Sequence, residues 1–204
     1  MIITVTGPSG TGKDAVINAL MAQDPNIKRF LSATTRSPRP GEQHEIDYYF
    51  LTPEEFDAAE ARGEFYEVNR GYHGKSYGKL KWVVDDLLGK GHDVIADIQI
   101  DGVQAFNRQM PERILRVLML PPNRERLEQR LTGRNPAMAE DGRRRLEAAR
   151  EDLEHLHDPK WVFKNPDMHG STYNDYDVVL INDVLDTTVA ELAKIILHER
   201  IRRA

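Results

Sequence analysis

A short apolar run, Ile2–Thr6, leads straight into Gly7-Pro8-Ser9-Gly10-Thr11-Gly12-Lys13, and a helical pattern follows from about Lys13 to Ala22. No other stretch constrains the fold as tightly. The glycines let the backbone curl so that successive N–H groups point inward, and the following helix adds its N-terminal dipole. The spacing fits G-x-x-x-x-G-K in the strand–loop–helix context that this motif needs. Gly7, Ser9, Gly10, Thr11 and Gly12 are therefore expected to cradle phosphate oxygens, with Lys13 reaching the β- and γ-phosphates of a nucleoside triphosphate. A plain glycine-rich turn would not need that lysine.

Position 14 departs from the pattern. The motif normally continues with Ser or Thr, whose hydroxyl binds Mg²⁺, but here the residue is Asp14. Two readings stand. Asp14 takes part in magnesium binding, directly or through water, since that ion favours carboxylate oxygens; or Asp14 only caps the helix and other groups position the metal. Metal involvement is the favoured reading, because a cation is needed beside the phosphates.

The rest of the chain reads as strands alternating with helices. Val94–Ile98, Ile114–Leu120 and Val178–Ile181 are short, β-branched apolar runs. Leu80, Val83, Val84, Leu87 and Leu88 follow helical spacing and stop at Gly89 and Gly91; Val189, Leu192, Ala193, Ile196 and Leu197 repeat it. Buried strands alternating with helices predict an α/β fold whose central parallel sheet is flanked by helices. With 204 residues, a single domain spanning 1–204 is expected. Its core would be 1–31 and 81–204, with a helical lid at about 132–158. Residues 32–80, rich in Pro, Gly, Tyr and charge, would form a small antiparallel insertion. Residues 158–177 read as a long loop whose aromatics, Trp161, Phe163 and Tyr173, more often pin a loop than cover a ligand.

Composition excludes whole classes of function. Cysteine is absent, which removes zinc fingers, iron–sulfur sites and thiol nucleophiles together. Net charge is −5, so a general nucleic-acid-binding surface is not expected. No apolar run is long enough to span a membrane, and the N-terminus lacks the pattern of a secretory signal. The expected setting is cytoplasmic. His155 and His157 are two apart, which on a helix does not form a metal pair.

The most informative stretch is Ser32-Ala33-Thr34-Thr35-Arg36-Ser37-Pro38-Arg39-Pro40-Gly41-Glu42. Two arginine forks suited to phosphate oxygens sit in a proline-stiffened loop. With the hydroxyls of Tyr48 and Tyr77 they would bind a phosphate monoester. Taken alone, a solvated basic turn would be the better reading.

This stretch is followed by Ile46-Asp47-Tyr48-Tyr49-Phe50, Phe65-Tyr66-Glu67, Ser76-Tyr77-Gly78 and Asp97-Ile98. In order and spacing it resembles the guanylate kinase family over nearly the whole chain. Arg130-Leu131-x-x-Arg134 and Arg145-Leu146-Glu147 look like that family's lid arginines, and Tyr176 to Asp183 looks like its final strand. The resemblance implies a P-loop nucleoside monophosphate kinase fold, with ATP as donor, Mg²⁺ as metal and GMP or dGMP as acceptor. It implies that Ser32, Arg36, Arg39, Tyr48 and Tyr77 hold the acceptor nucleotide and that Glu67 accepts from guanine N1–H and the 2-amino group. Asp97 would sit near the metal, Arg134 and Arg145 would swing in with the lid, and Asn182 would lie near the donor adenine. Lys13, Arg36, Arg134 and Arg145 would share the catalytic charge neutralisation, with Asp14 and Asp97 at the metal.

Beyond position 14, three further departures from the family stand out. Gln99 occupies the place of a second Asp, Lys79 follows Tyr77-Gly78 where the family has Thr or Ser, and 158–177 is longer than the usual link. Gln99 and Lys79 fall in the acceptor base pocket by this alignment, so both are counted with the acceptor site. Lys79 is then either a donor to guanine O6 or a solvent-facing helix lysine. At this stage phosphoryl transfer to GMP or dGMP leads. A kinase for a different or modified (deoxy)nucleoside monophosphate comes next, ribose 1,5-bisphosphate phosphokinase after it, and a non-catalytic guanylate-kinase-like binding module last. The expected partner is the monophosphate acceptor, with the chain a monomer or homodimer.

Overall fold

The computed structural model describes residues 1–72, 74–98, 114–132, 139–155 and 176–203. A five-stranded parallel sheet runs through its centre. Its strands are β1 (Ile2–Thr6), β2 (Ile27–Arg29), β7 (Asp93–Asp97), β8 (Ile114–Leu120) and β9 (Val178–Ile181), in the order β2-β7-β1-β8-β9. Every residue of β1 is buried. Successive side chains alternate between two apolar clusters: Ile2 belongs to one, Ile3 and Val5 to the other. Thr4 and Thr6 are buried along with the apolar residues between them, because the strand is covered on both faces.

One face is covered by α1 (Lys13–Gln23) and α6 (Leu185–Arg203), through Val16, Ile17, Leu20, Val189, Leu192 and Ile196. Leu197, which matches the helical pattern, faces outward and is 56% exposed. The other face meets α3 (Lys81–Gly89), α4 (Arg124–Thr132) and α5 (Ala139–His155). Among the described side chains of α5, Ala149 and Leu153 are buried. Arg150 ties α5 to Glu128 of α4 at 3.3 Å.

A second sheet has the order β4-β3-β6-β5: β3 (Ala33–Thr34), β4 (Tyr49–Phe50), β5 (Phe65–Tyr72) and β6 (Lys75–Leu80). It is antiparallel along β3, β6 and β5, while the short β4 joins β3 in parallel. The residues between β3 and β4, 35–48, supply the long crossover that a parallel pair requires. Helix α2 (Pro53–Ala61) closes one side of this sheet. Thr52 and Glu55 cap it reciprocally, Thr52 Oγ1 accepting from Glu55 N at 3.1 Å and Glu55 accepting from Thr52 N at 2.8 Å. Phe56 of α2 is fully buried and stacks on Phe65 of β5, with centroids 4.6 Å apart. Truncating Phe56 to Ala would cost about 3–5 kcal/mol.

Among the described residues, no helix is long and apolar enough to cross a membrane.

Candidate active site

The carboxyl ends of β1 and β7 open onto one cleft. In open parallel sheets this edge is where ligands bind, because the connections from neighbouring strands diverge there. The loop after β1 forms its floor. Gly12 precedes α1 with φ 88°, and a Cβ there would stand 2.7 Å from Asn182 Nδ2. Gly7 is pressed as closely against β8: a Cβ would lie 2.0 Å from the Met119 carbonyl oxygen. The glycines at these positions are therefore steric requirements as well as conformational ones.

The loop is held from behind. Asn182, at the end of β9 and only 5% exposed, donates Nδ2 to the Thr11 carbonyl at 2.7 Å and accepts from Thr188 Oγ1 at 3.0 Å. Arg130 of α4 donates to the Thr11 and Asp183 carbonyls at 3.4 and 3.2 Å. Thr11 is buried and turns its hydroxyl back to the Pro8 carbonyl at 2.9 Å. Lys13 folds over the loop, Nζ donating to the Gly7 carbonyl at 2.6 Å and lying 3.9 Å from Asp97. Arg145 of α5 reaches the loop from the far side, Nε donating to Ser9 Oγ at 3.2 Å.

Two carboxylates flank Lys13. Asp97 ends β7 and keeps an open side to the cleft, yet the protein packed around it pushes its carboxyl above the ordinary 3.8 through burial, against the pull of Lys13. Asp14 is more open and pairs with Arg29 Nη2 at 2.6 Å. Among the described residues no group of three or more His, Cys, Asp or Glu side chains forms a protein-only metal cage. Magnesium does not need one, since it commonly takes one or two carboxylates plus substrate phosphates and waters. Asp14 and Asp97 fit that donor set.

The opposite wall is one face of the β5–β6 ladder. Glu67 lies across from Lys79 and Asn69 across from Tyr77, and alternation along each strand points all four side chains into the cleft. On the other face Gly78 packs against Phe65, where a Cβ would lie 2.6 Å from a ring carbon. Lys79 is only 7% exposed. Its Nζ donates to the Phe30 carbonyl at 3.1 Å and sits over the Phe30 ring, 5.1 Å from the centroid. Burial drives its ammonium below the ordinary 10.5, with Glu67 and then Asp97 pulling the other way.

Arg36 stands at the outer end of this wall. Its guanidinium bonds both oxygens of Glu42, at 2.9 and 2.8 Å, donates to the Ser37 carbonyl at 2.8 Å, and stacks over the Tyr48 ring at 5.3 Å. The Tyr48 and Tyr77 rings pack edge to face, 6.3 Å apart, and burial raises the Tyr48 phenol above its ordinary 10.0. Glu42 in turn accepts from the Arg39 backbone N–H at 2.8 Å, which together with Arg36 holds it below the ordinary carboxylate value. A preformed guanidinium fork beside two phenols is suited to a dianionic phosphate.

Loop and wall share one cleft of about 720 Å³. A smaller hollow of about 300 Å³ beside Ile46 and Trp82 has no glycine-rich loop, so the larger cleft is the site. Of the residues singled out from the sequence, Gly7, Ser9, Gly10, Gly12, Lys13, Asp14, Ser32, Tyr48, Glu67, Tyr77, Lys79, Asp97 and Arg145 line it. Arg36 joins through Tyr48, over whose ring it lies. Thr11 and Asn182 support the loop from inside, and the Arg39 side chain is not among the cleft-lining groups. Lys79 lies in β6, not on a solvent-facing helix. Gln99 and Arg134, with the loop from 158 to 175, lie outside the described residues. Sequence reading missed Arg29 and Asn69, which line the cleft, and the part Glu42 plays under Arg36. For Glu42 a signal existed, its place in the arginine–proline stretch; Arg29 and Asn69 carried none, because only strand pairing brings them to the site.

Known proteins resemble this chain over nearly its whole length. A family model described as guanylate kinase matches residues 1–199. A guanylate kinase of Symbiobacterium thermophilum is 39% identical over 202 residues, covering 99% of this chain and 87% of that protein. One from Xanthomonas oryzae pv. oryzae is 35% identical over 199 residues, covering 98% and 89%. Among solved structures, the guanylate kinase of Anaplasma phagocytophilum superposes with a TM-score of 0.69 at 26% identity, covering 98% of this chain and 85% of that one.

Proposed function

The chain belongs to the guanylate kinase family, and from that membership we propose how its cleft performs the family's reaction. The protein is a nucleoside monophosphate kinase that transfers the γ-phosphoryl group of ATP to GMP. The arrangement that carries the residue assignment is the pairing of the lysine-bearing loop with the Glu67–Lys79 and Tyr77 wall in one continuous cleft.

In this reading ATP lies along the loop, its phosphates received by the inward N–H groups and by Lys13. GMP lies against the β5–β6 wall. Glu67 accepts from N1–H and the 2-amino group, Lys79 donates to O6, and Arg36, Tyr48 and Tyr77 hold the 5′-phosphate with Ser32 beside them; Arg39 is assigned there by its motif alone. An acceptor phosphate oxygen, already ionised at neutral pH, attacks the γ-phosphorus as the bond to the β-bridging oxygen breaks and ADP leaves. No strong general base is required, so catalysis is alignment and neutralisation of charge. Lys13, Arg36 and Arg145 supply that neutralisation, and Arg134 is assigned with them by its motif alone. Asp14 and Asp97 would hold Mg²⁺, which would supply positive charge beside the donor phosphates.

The insertion 32–80 is the acceptor half and α5 the lid. Arg145 already touches Ser9, so lid movement and charge delivery are coupled, and closure excludes water that would otherwise take the phosphoryl group. Asn182 acts here as a brace for the loop.

An acceptor panel with ADP detection tests the assignment. GMP and dGMP are expected to turn over, with AMP, CMP and UMP far slower. Equal turnover of all bases would contradict the role given to Glu67 and Lys79.

A further inference from the structure

The residue after the phosphate-loop lysine is a carboxylate, and a second element supplies its partner. Arg29, the last residue of β2, bonds Asp14 Oδ1 through Nη2 at 2.6 Å. Both side chains line the cleft. Arg29 lies close enough to Lys79 and Asp97 to shift both, and Asp14 is felt by Asp97 and Tyr48. The pair therefore stands between the loop and the acceptor wall, where the two phosphate groups must meet.

A carboxylate at this place poses a problem that a hydroxyl does not. It adds a negative charge beside a loop built to receive a polyphosphate, and like charges repel across the cleft. Arg29 removes that repulsion without occupying the loop. We propose that Arg29 is a positioning residue for the donor phosphates, acting through Asp14: it cancels the carboxylate's charge and fixes its orientation, so that an acid can stand where the motif ordinarily carries a hydroxyl. The inference rests on the kinase reading and adds to it a residue that no motif marks.

Asp14 is 73% exposed and Arg29 31%, so solvent screens the interaction and the effect is about tenfold, not thousandfold. The test uses the full chain with Arg29→Met, Asp14→Ser and the double variant. ATP affinity is measured by calorimetry in EDTA and in Mg²⁺, at low and high salt, alongside thermal melting. Arg29→Met is expected to bind ATP about tenfold more weakly in EDTA, with the loss shrinking as salt rises. In EDTA, where Asp14 has no metal to hold, adding Asp14→Ser is expected to restore affinity to within about threefold of the parent. A purely structural arginine would give the same loss with or without Asp14 and no salt dependence. Unchanged binding in Arg29→Met, or no recovery in the double variant, overturns the proposal. If the parent chain fails to bind ATP, the kinase reading falls and this inference with it.

Discussion

Glu67 and Lys79 are cross-strand partners on one wall of the cleft, a carboxylate beside an ammonium. Guanine offers the matching edge, donors at N1–H and the 2-amino group next to an acceptor at O6. A serine or threonine hydroxyl can donate or accept, but an ammonium only donates. Lys79 should therefore demand a strong acceptor at position 6, which predicts slow turnover of 6-thioguanosine monophosphate, an acceptor that keeps N1–H and the 2-amino group for Glu67. Lys79→Ser should narrow the preference for GMP over that acceptor, while kcat/KM for GMP falls about tenfold, mainly through KM. Steady-state kinetics on the two acceptors decide it; equal discrimination in both proteins would remove Lys79 from base recognition.

The same lysine should leave a mark on stability. Its buried ammonium titrates below 10.5 in the folded chain and at that ordinary value once unfolded. Below the folded value it is charged in both states and the desolvation penalty applies in full. Between the folded value and 10.5 the unfolded chain binds more protons, so stability rises with pH. The melting temperature of the parent relative to Lys79→Met is expected to climb as pH rises through the lowered folded value toward 10.5. The offset between the two proteins depends on what Glu67 does without its neighbour, but the slope does not. A falling difference would mean that Glu67 and Asp97 outweigh burial.

Asn182 connects β9 and α6 to the back of the loop through Thr11 and Thr188. Asn182→Ala leaves the Thr11 carbonyl with only the longer contact from Arg130 at 3.4 Å, whereas Thr188 keeps the Val184 carbonyl. Urea unfolding is expected to show a loss of about 1–3 kcal/mol, the cost of stranding a buried acceptor. The KM for ATP should rise while that for GMP stays put. A matching rise for GMP would place the effect in global loosening instead.

Much of this site was legible because it is local. The loop from Gly7 to Lys13 and the stretch from Ser32 to Glu42 carry their chemistry in consecutive residues. The strands Ile114–Leu120 and Val178–Ile181 begin and end where their β-branched runs do. What the sequence concealed depends on pairing. Arg29 meets Asp14 only because β2 runs beside β7, and Asn69 reaches the cleft only through its register with Tyr77. Lys79 looked ambiguous until the ladder fixed which face it occupies, since a one-residue slip would turn it outward. Helix α2 could have been read from Thr52-Pro53-Glu54-Glu55, a capping signature set in a polar stretch with only Phe56 and Ala59 buried.

The central claim is that two nucleotides meet across this cleft and exchange a phosphoryl group over Lys13. The most direct measurement follows the label from ATP marked radioactively at its γ-phosphate, in the presence of GMP, for the parent and for Lys13→Ala. In the parent the label should pass to GDP in step with ADP formation, with little inorganic phosphate. Lys13→Ala, still folded by melting, should transfer it at least about a hundredfold more slowly. Label released as inorganic phosphate regardless of GMP, or near-parental transfer without Lys13, would contradict the account.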